Sequence, residues 1–203
     1  MPRLVPAVCL AVPLALALSA CGGADSDKKP AAQSKSKETA PAGVAHQHTV
    51  LAAEIAARGG KARVGEFNVG YIVEAAEPWF HAEHGKHGKH GKQVHRPPAK
   101  DETHHIEIIP MEAKSGRIVP NVPITLEVVN KDGKVVQAKK LNFYYSEFFH
   151  YANNFSIPKA GKYTLRAKLD APTFLRHGGS GEKPALSEGA TATFRNVELK
   201  PEN

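Results

Sequence analysis

The sequence predicts an all-β domain, an immunoglobulin-like antiparallel β-sandwich of about seven strands with one histidine-rich loop insertion. Two observations carry that prediction. From Val64 onward apolar and polar residues alternate, as in "VPITLEVVN", which sets Val122, Ile124, Leu126 and Val128 on one face. "YTLRAKL" repeats the pattern, with Tyr163, Leu165, Ala167 and Leu169 on one side and Thr164, Arg166 and Lys168 on the other. Turn signals then punctuate the alternation, "NKDGK" at 130–134 and "PKAGK" at 158–162. Strand-like runs fall at 64–75, 103–112, 121–129, 134–144, 150–157, 161–170 and 189–199.

Ahead of that domain the chain changes character twice. Residues 1–20 carry one cation, Arg3, and the apolar run "LVPAVCLAVPLALALSA". This is the layout of a secretory signal peptide, too short and too proline-broken for a membrane span. The run closes on "LSAC", Leu18 to Cys21, which resembles the lipobox of bacterial lipoproteins. The resemblance implies cleavage before Cys21 and lipidation of that cysteine, so the chain is expected to meet the membrane through an N-terminal lipid. Gly22, rather than Asp, after the cysteine fits an outer-membrane address. Residues 21–48 read as anchor cysteine plus tether: "GGADSDKKPAAQSKSKETAPAGVAH" (22–46) has too little apolar bulk to fold. As a flexible chain it would hold the domain roughly 25–30 Å from its anchor. The domain then spans 49–203 and opens on "TVLAAEIAARGG" (49–60), a short helix by its apolar spacing and glycine stop.

Composition narrows the chemistry. Cys9 leaves with the signal and Cys21 is taken by lipid, so the mature chain has neither a disulfide framework nor a free thiolate. A metal site must be built from nitrogen, oxygen or the thioether of Met111. The formal charge of +7 is spread among interleaved acids, with no aromatic-studded basic stripe. Together with an extracytoplasmic address, that excludes nucleic acid as a partner.

Histidine is the residue type that stands out. "HAEHGKHGKHGKQVH" (81–95), within a loop read as 81–98, places His81, His84, His87, His90 and His95 among glycines and lysines. The glycines disfavour helix and the lysines keep the segment in water. In a polyproline II conformation successive rings would stand roughly 9 Å apart, too far to share one ion without bending. These five residues suit a loose secondary metal reservoir rather than a rigid site. A quieter set lies on the strands. "HHIEIIP" puts His105 and Glu107 two residues apart, on the same face of a strand and about 6.5–7 Å apart along it. His150 opens another strand in "EFFHYANNFSI", and His177 follows a strand in "PTFLRHGG".

From about Gly65 to Leu199 the chain resembles the periplasmic metal-binding proteins associated with ferrous iron permeases, a family that includes spirochaete lipoproteins. The matching stretches, in order, are "VGEFNVGYIVEAAEP", the "HIE" of 105–107, "IVPNVPITLEVVN", "FFHYANNFSIPKAGKYTLRAKLDAP" and "RHG". The resemblance implies an immunoglobulin-like fold, a homodimer, an iron permease as partner, and a metal held by His105, Glu107, His150 and His177. His105 is preferred to His104 for its His-x-Glu spacing. One departure bears on the metal. Where the family carries a methionine about seven residues before the second histidine, this chain has Phe143, with Leu141 and Tyr145 on the same face. A second family methionine has no counterpart around Glu74–Glu77, and Met111 is roughly 20 Å from His105 along a straight strand. Loss of soft sulfur leaves a histidine–carboxylate set suited to Cu(II), Zn(II), Fe(II) or Mn(II), and the cofactor expected is a divalent transition metal, Fe, Cu or Zn.

The expected function is therefore metal binding by a lipid-anchored periplasmic protein, in support of iron uptake or copper-assisted iron uptake. A zinc hydrolase would need the same ligands, but no independent general base, nucleophile or substrate anchor accompanies them, and no enzyme activity is expected. The alternative is a cell-surface scaffold or adhesin whose histidines are incidental or buffer zinc.

Overall fold

Alternating apolar faces build two sheets that close on each other. The computed structural model describes residues 42–83 and 91–201. A helix, α1 (Ala42–Arg58), leads into β1 (Gly59–Val64), β2 (Phe67–Ala75), β3 (Trp79–Ala82), β4 (Gln93–Arg96), β5 (His104–Glu112) and β6 (Ile124–Val129). β7 (Val135–Lys140), β8 (Asn142–Tyr145), β9 (Phe149–Phe155), β10 (Gly161–Leu169) and β11 (Ala190–Leu199) complete it. One sheet has the order β1-β2-β5-β9-β8 and the other β11-β10-β6-β7, while β3 and β4 form a separate hairpin. The all-β sandwich is as the alternation predicts.

Eleven strands stand among the described residues where seven were counted. The run at 64–75 holds β2, and Gly65, with φ of 53°, turns the chain between it and an additional strand, β1, that lies ahead of the run over Gly59–Val64. Leu141 divides the run at 134–144: its N–H bonds the Ile124 carbonyl of one sheet, and the next residues join the other sheet as β8. The segment read as a loop over 81–98 begins and ends as strand, because Trp79↔Arg96 through Ala82↔Gln93 pair in register. The helix also starts at Ala42, seven residues inside the stretch read as tether and ahead of the 49–60 expected for it. Its exposed first turns bury nothing, while Leu51 and Ile55 pack onto the sheet. The signal segment, Cys21 and most of the tether lie outside the described residues, and among the described residues no helix is long and apolar enough to cross a membrane.

The main core lies between the sheets, with Ile106 and Ile108 of β5, Leu126 and Val128 of β6, Phe155 of β9 and Leu165 of β10 all fully enclosed. Tyr151 crosses it, its hydroxyl donating to the Val119 carbonyl at 3.0 Å and accepting from the Val122 N–H at 2.9 Å. Leu126→Ala is expected to lower unfolding stability by about 2–5 kcal/mol in a urea titration, from lost burial plus the cavity left behind.

A second cluster matters more for function. The outer face of the five-stranded sheet is half covered by α1, where Leu51 and Ile55 meet Ile72, Ile109, Met111 and Phe148. Gly70 makes this docking possible, since a Cβ there would come within 2.7 Å of the Ile55 side chain. The half of the face beyond α1 is where the histidines are.

Candidate metal centre

Period-two alternation along β5 sends Ile106 and Ile108 into the core and His105 and Glu107 to the outer face. In β9 it sends Tyr151 and Phe155 inward and His150 and Asn154 outward. Pairing of Glu107 with Ala152 and of His105 with Asn154 then sets the two outward rows side by side. One nitrogen each from His105 and His150 and one oxygen from Glu107 fall within 4.8 Å of one another. All three residues are buried, and they form the floor of a cleft of about 530 Å³.

The hydrogen bonds decide which nitrogens are available. Asn154 Nδ2 donates to the Glu77 carbonyl at 2.8 Å and to Glu102 at 3.2 Å, so Oδ1 is the acceptor end of that amide. His105 Nδ1, 2.8 Å from Oδ1, must therefore be the N–H, and the lone pair is on Nε2. His150 Nδ1 lies 3.2 Å from the Phe148 carbonyl, which only accepts, so His150 likewise carries its lone pair on Nε2. That nitrogen faces Glu107 Oε1 at 3.6 Å. The other Glu107 oxygen, Oε2, is buried without a hydrogen-bond partner.

Protonation follows from burial. Desolvation, reinforced by the carboxylates of Glu74, Glu77 and Glu54, pushes the Glu107 carboxyl up to about 8. Desolvation takes His150 down to about 4 and also lowers His105. At neutral pH the metal-free trio is therefore uncharged, and the 3.6 Å contact between His150 and Glu107 is not an ion pair. Two neutral imidazoles and a carboxyl group thus face one another with ligand atoms within 4.8 Å. Donors bound to a single zinc- or copper-sized ion at about 2.0–2.2 Å stand roughly 3–3.5 Å apart, so this set closes on such an ion with small side-chain adjustments.

The surroundings are acidic and aromatic. Glu54 of α1 and Glu74 and Glu77 line the cleft, with Arg58 bridging Glu54 at 3.1 Å and bonding Glu74. Register places Tyr144, not Phe143, opposite His150, and the Tyr144 ring stacks on the imidazole at 5.6 Å. Phe143 instead stacks on Phe149 and leans on Tyr151. The position opposite His150 is therefore aromatic and carries no sulfur. Met111 is held under α1, since β5 runs straight through Pro110, and it takes no part in the trio.

Of the four strand-borne candidates, the structure brings His105, Glu107 and His150 together and leaves His177 apart. His177 sits exposed on the connection between β10 and β11 and, among the described residues, is not one of the converging groups. Adjacent His104 takes the other face of β5, its Nδ1 2.8 Å from the Thr103 hydroxyl. Of the repeat histidines, His84, His87 and His90 lie outside the described residues. His81 and His95 stand on the β3–β4 hairpin, with His95 packed on Phe80 at 5.0 Å. Asn154, Tyr144 and Glu102 escaped the sequence reading. Asn154 alone had a signal, its even spacing from His150. Burial alone would raise the Glu102 carboxyl, but bonds from Arg96, the Ala99 N–H and Asn154 hold it down to about 2.

Comparison with known proteins agrees with the sequence resemblance. The model of the Fe2+ transport protein family matches residues 91–183, a span that holds His105, Glu107, His150 and His177. No curated protein sequence matches the chain. Among solved structures, a copper-bound variant of FetP from uropathogenic Escherichia coli strain F11 superposes with a TM-score of 0.52 at 14% identity, over 71% of this chain and 92% of that one. Copper-reconstituted P19 from Campylobacter jejuni gives 0.51 at 16% identity, over 70% and 96%. These two share the fold. Residues 91–183, a little under half of the chain, are thus similar to the Fe2+ transport protein family.

Proposed function

We propose that this domain captures one divalent transition metal, Fe, Cu or Zn, on His105, Glu107 and His150, as a lipid-anchored periplasmic component of iron uptake. The observation that carries the reading is the floor of the cleft: one nitrogen each of His105 and His150 and one oxygen of Glu107, all on buried residues and within 4.8 Å of one another. The acidic rim draws cations towards it. Copper held by FetP and P19 supports copper among the candidate cargoes, and any nitrogen–oxygen site of this kind binds Cu(II) most tightly whatever its natural load. Because Glu107 must lose its proton to ligate, binding near neutral pH releases about one proton per metal.

His177 enters the proposal through a second copy of the chain, consistent with the homodimer that the resemblance implies. Supporting this, the cleft mouth presents exposed Phe80, Phe143 and Tyr145, aromatic surface of the kind that association covers. Through the lipid on Cys21 the domain would work beside an iron permease.

Competitive titration with Fe(II), Cu(II) and Zn(II) tests the reading, using the mature chain and a variant lacking residues 84–90. One tight site per chain is expected to survive the deletion, while the number of weak sites falls. Loss of all binding with the repeat would leave only a histidine sponge. A wild-type dissociation constant far weaker than micromolar would favour the scaffold.

A further inference from the structure

The root of the histidine-rich hairpin touches both ligand histidines, by two separate routes. Arg96, on β4, lies with its guanidinium 4.0 Å over the ring of Trp79, its partner on β3. From Arg96 a chain of hydrogen bonds runs inward. Its two terminal nitrogens bond the two oxygens of Glu102 at 2.9 and 3.0 Å, and Glu102 Oε2 accepts from Asn154 Nδ2 at 3.2 Å. Asn154 Oδ1 accepts from His105 Nδ1 at 2.8 Å. From Trp79 a chain of rings runs to the other ligand. Its indole meets Tyr144 edge-on at 5.7 Å, and Tyr144 stacks on His150 with the planes 9° apart. Tyr144 also meets His105 edge-on at 5.8 Å.

We propose that Arg96 and Trp79 are positioning residues for the metal centre, so that the seating of the β3–β4 hairpin sets the orientation of both ligand imidazoles. The physical basis is direct. An amide can rotate and present either end to His105; Asn154 is held with Oδ1 towards the ring by the Glu77 backbone, whose carbonyl accepts from Nδ2 at 2.8 Å and whose N–H donates to Oδ1 at 3.2 Å, and by Glu102, a pure acceptor clamped by Arg96. With the Arg96 clamp gone, the Glu77 backbone is left to hold the amide, and in the fraction of molecules where Nδ2 turns towards His105 the proton moves to Nε2 and blocks the ligating lone pair. Stacking of Tyr144 limits the tilt of His150 in the same way. Outer groups of this kind change metal affinity by about 10–100-fold. The charges facing Glu102 are Arg96 and Lys139, whose ammonium is 3.7 Å from it and also bonds the Asn154 carbonyl at 2.6 Å. Lys139 alone is a single point charge and does not reproduce the two-pronged grip of a guanidinium.

The proposal rests on the metal-binding reading, and its test separates the two. Arg96→Met, Arg96→Lys, Trp79→Phe and, as a control, Lys168→Met are compared with wild type. Lys168 makes a similar surface ion pair, with Glu127 on the other sheet. First, nitrogen-15 NMR of the imidazoles is read on the metal-free protein. Wild type is expected to show His105 as the Nδ1–H form alone; Arg96→Met is expected to show a mixture, with Arg96→Lys partly restored. Second, Cu(II) and Zn(II) are titrated competitively. Arg96→Met is expected to bind about 10-fold more weakly with altered Cu(II) hyperfine splitting, Trp79→Phe about 3-fold more weakly, and Lys168→Met as wild type. A folded Arg96→Met with an unchanged His105 tautomer and unchanged splitting overturns the proposal, even if its affinity drops. Should Arg96→Met fail to fold, Arg96→Lys carries the same test. If wild type binds no metal tightly, the function fails, while the tautomer result still decides whether Arg96 orients His105.

Discussion

His150→Ala is expected to weaken metal binding by more than about 100-fold in competitive titration, the upper end of what loss of a merely supporting hydrogen bond does. The argument is one of donor count. Among the described residues three donors meet at the cleft floor, and removing one leaves Nε2 of His105 and the Glu107 carboxylate, with water filling the gap. The variant should fold, because His150 Nδ1 makes one 3.2 Å bond to a carbonyl of its own strand region and the core lies on the other face of the sheet. His177→Ala makes the informative companion. If the fourth ligand comes from a second copy, its effect appears only at protein concentrations where the dimer forms, whereas the effect of His150→Ala is the same at every concentration. Retention of tight binding in His150→Ala would remove the cleft as the metal site.

The second large effect is on stability in the absence of metal. Glu107 is held at about 8 in the folded domain against 4.5 for the free side chain. A raised carboxyl favours the folded state fully below pH 4.5, and that contribution drains away as pH climbs to about 8. At about 1.4 kcal/mol per pH unit, the loss is on the order of 5 kcal/mol. His150 works at the other end: lowered from 6.5 to about 4, it supports the fold above pH 6.5 and withdraws that support as pH falls towards 4. Urea unfolding of chelator-treated protein should therefore show stability declining from about pH 6.5 to 8 in wild type and far less in Glu107→Gln. Added Zn(II) should cancel the decline in wild type only, since the ion replaces the missing proton as partner of the ionised carboxylate. Parallel pH curves for the two proteins would mean that Glu107 is not held protonated.

Between them these effects describe a site tuned against its own charge. Burial holds two imidazoles and a carboxyl neutral, so the centre tolerates being empty, and a dication is then the species that suits all three donors. The acidic rim of Glu54, Glu74 and Glu77 contributes twice, attracting cations and keeping the Glu107 proton in place until one arrives.

Much of this was legible in the chain itself, because period-two alternation is a local property. It determined that His105 and Glu107 share a face, that Val122 to Val128 and Leu165 to Leu169 point inward, and that "NKDGK" turns, as Gly133 with φ of 78° and the Asn130 side chain capping Asp132 and Lys134 show. Tertiary structure alone decided what depends on register between distant strands. Whether Tyr144 or Phe143 meets His150 turns on a one-residue choice of pairing, and a slip by one would exchange the two faces of β8. The same holds for the grip of Arg96 on Glu102 and for the separation of His177 from the other three residues. Alternation says which way a side chain points; only the pairing of strands says what it points at.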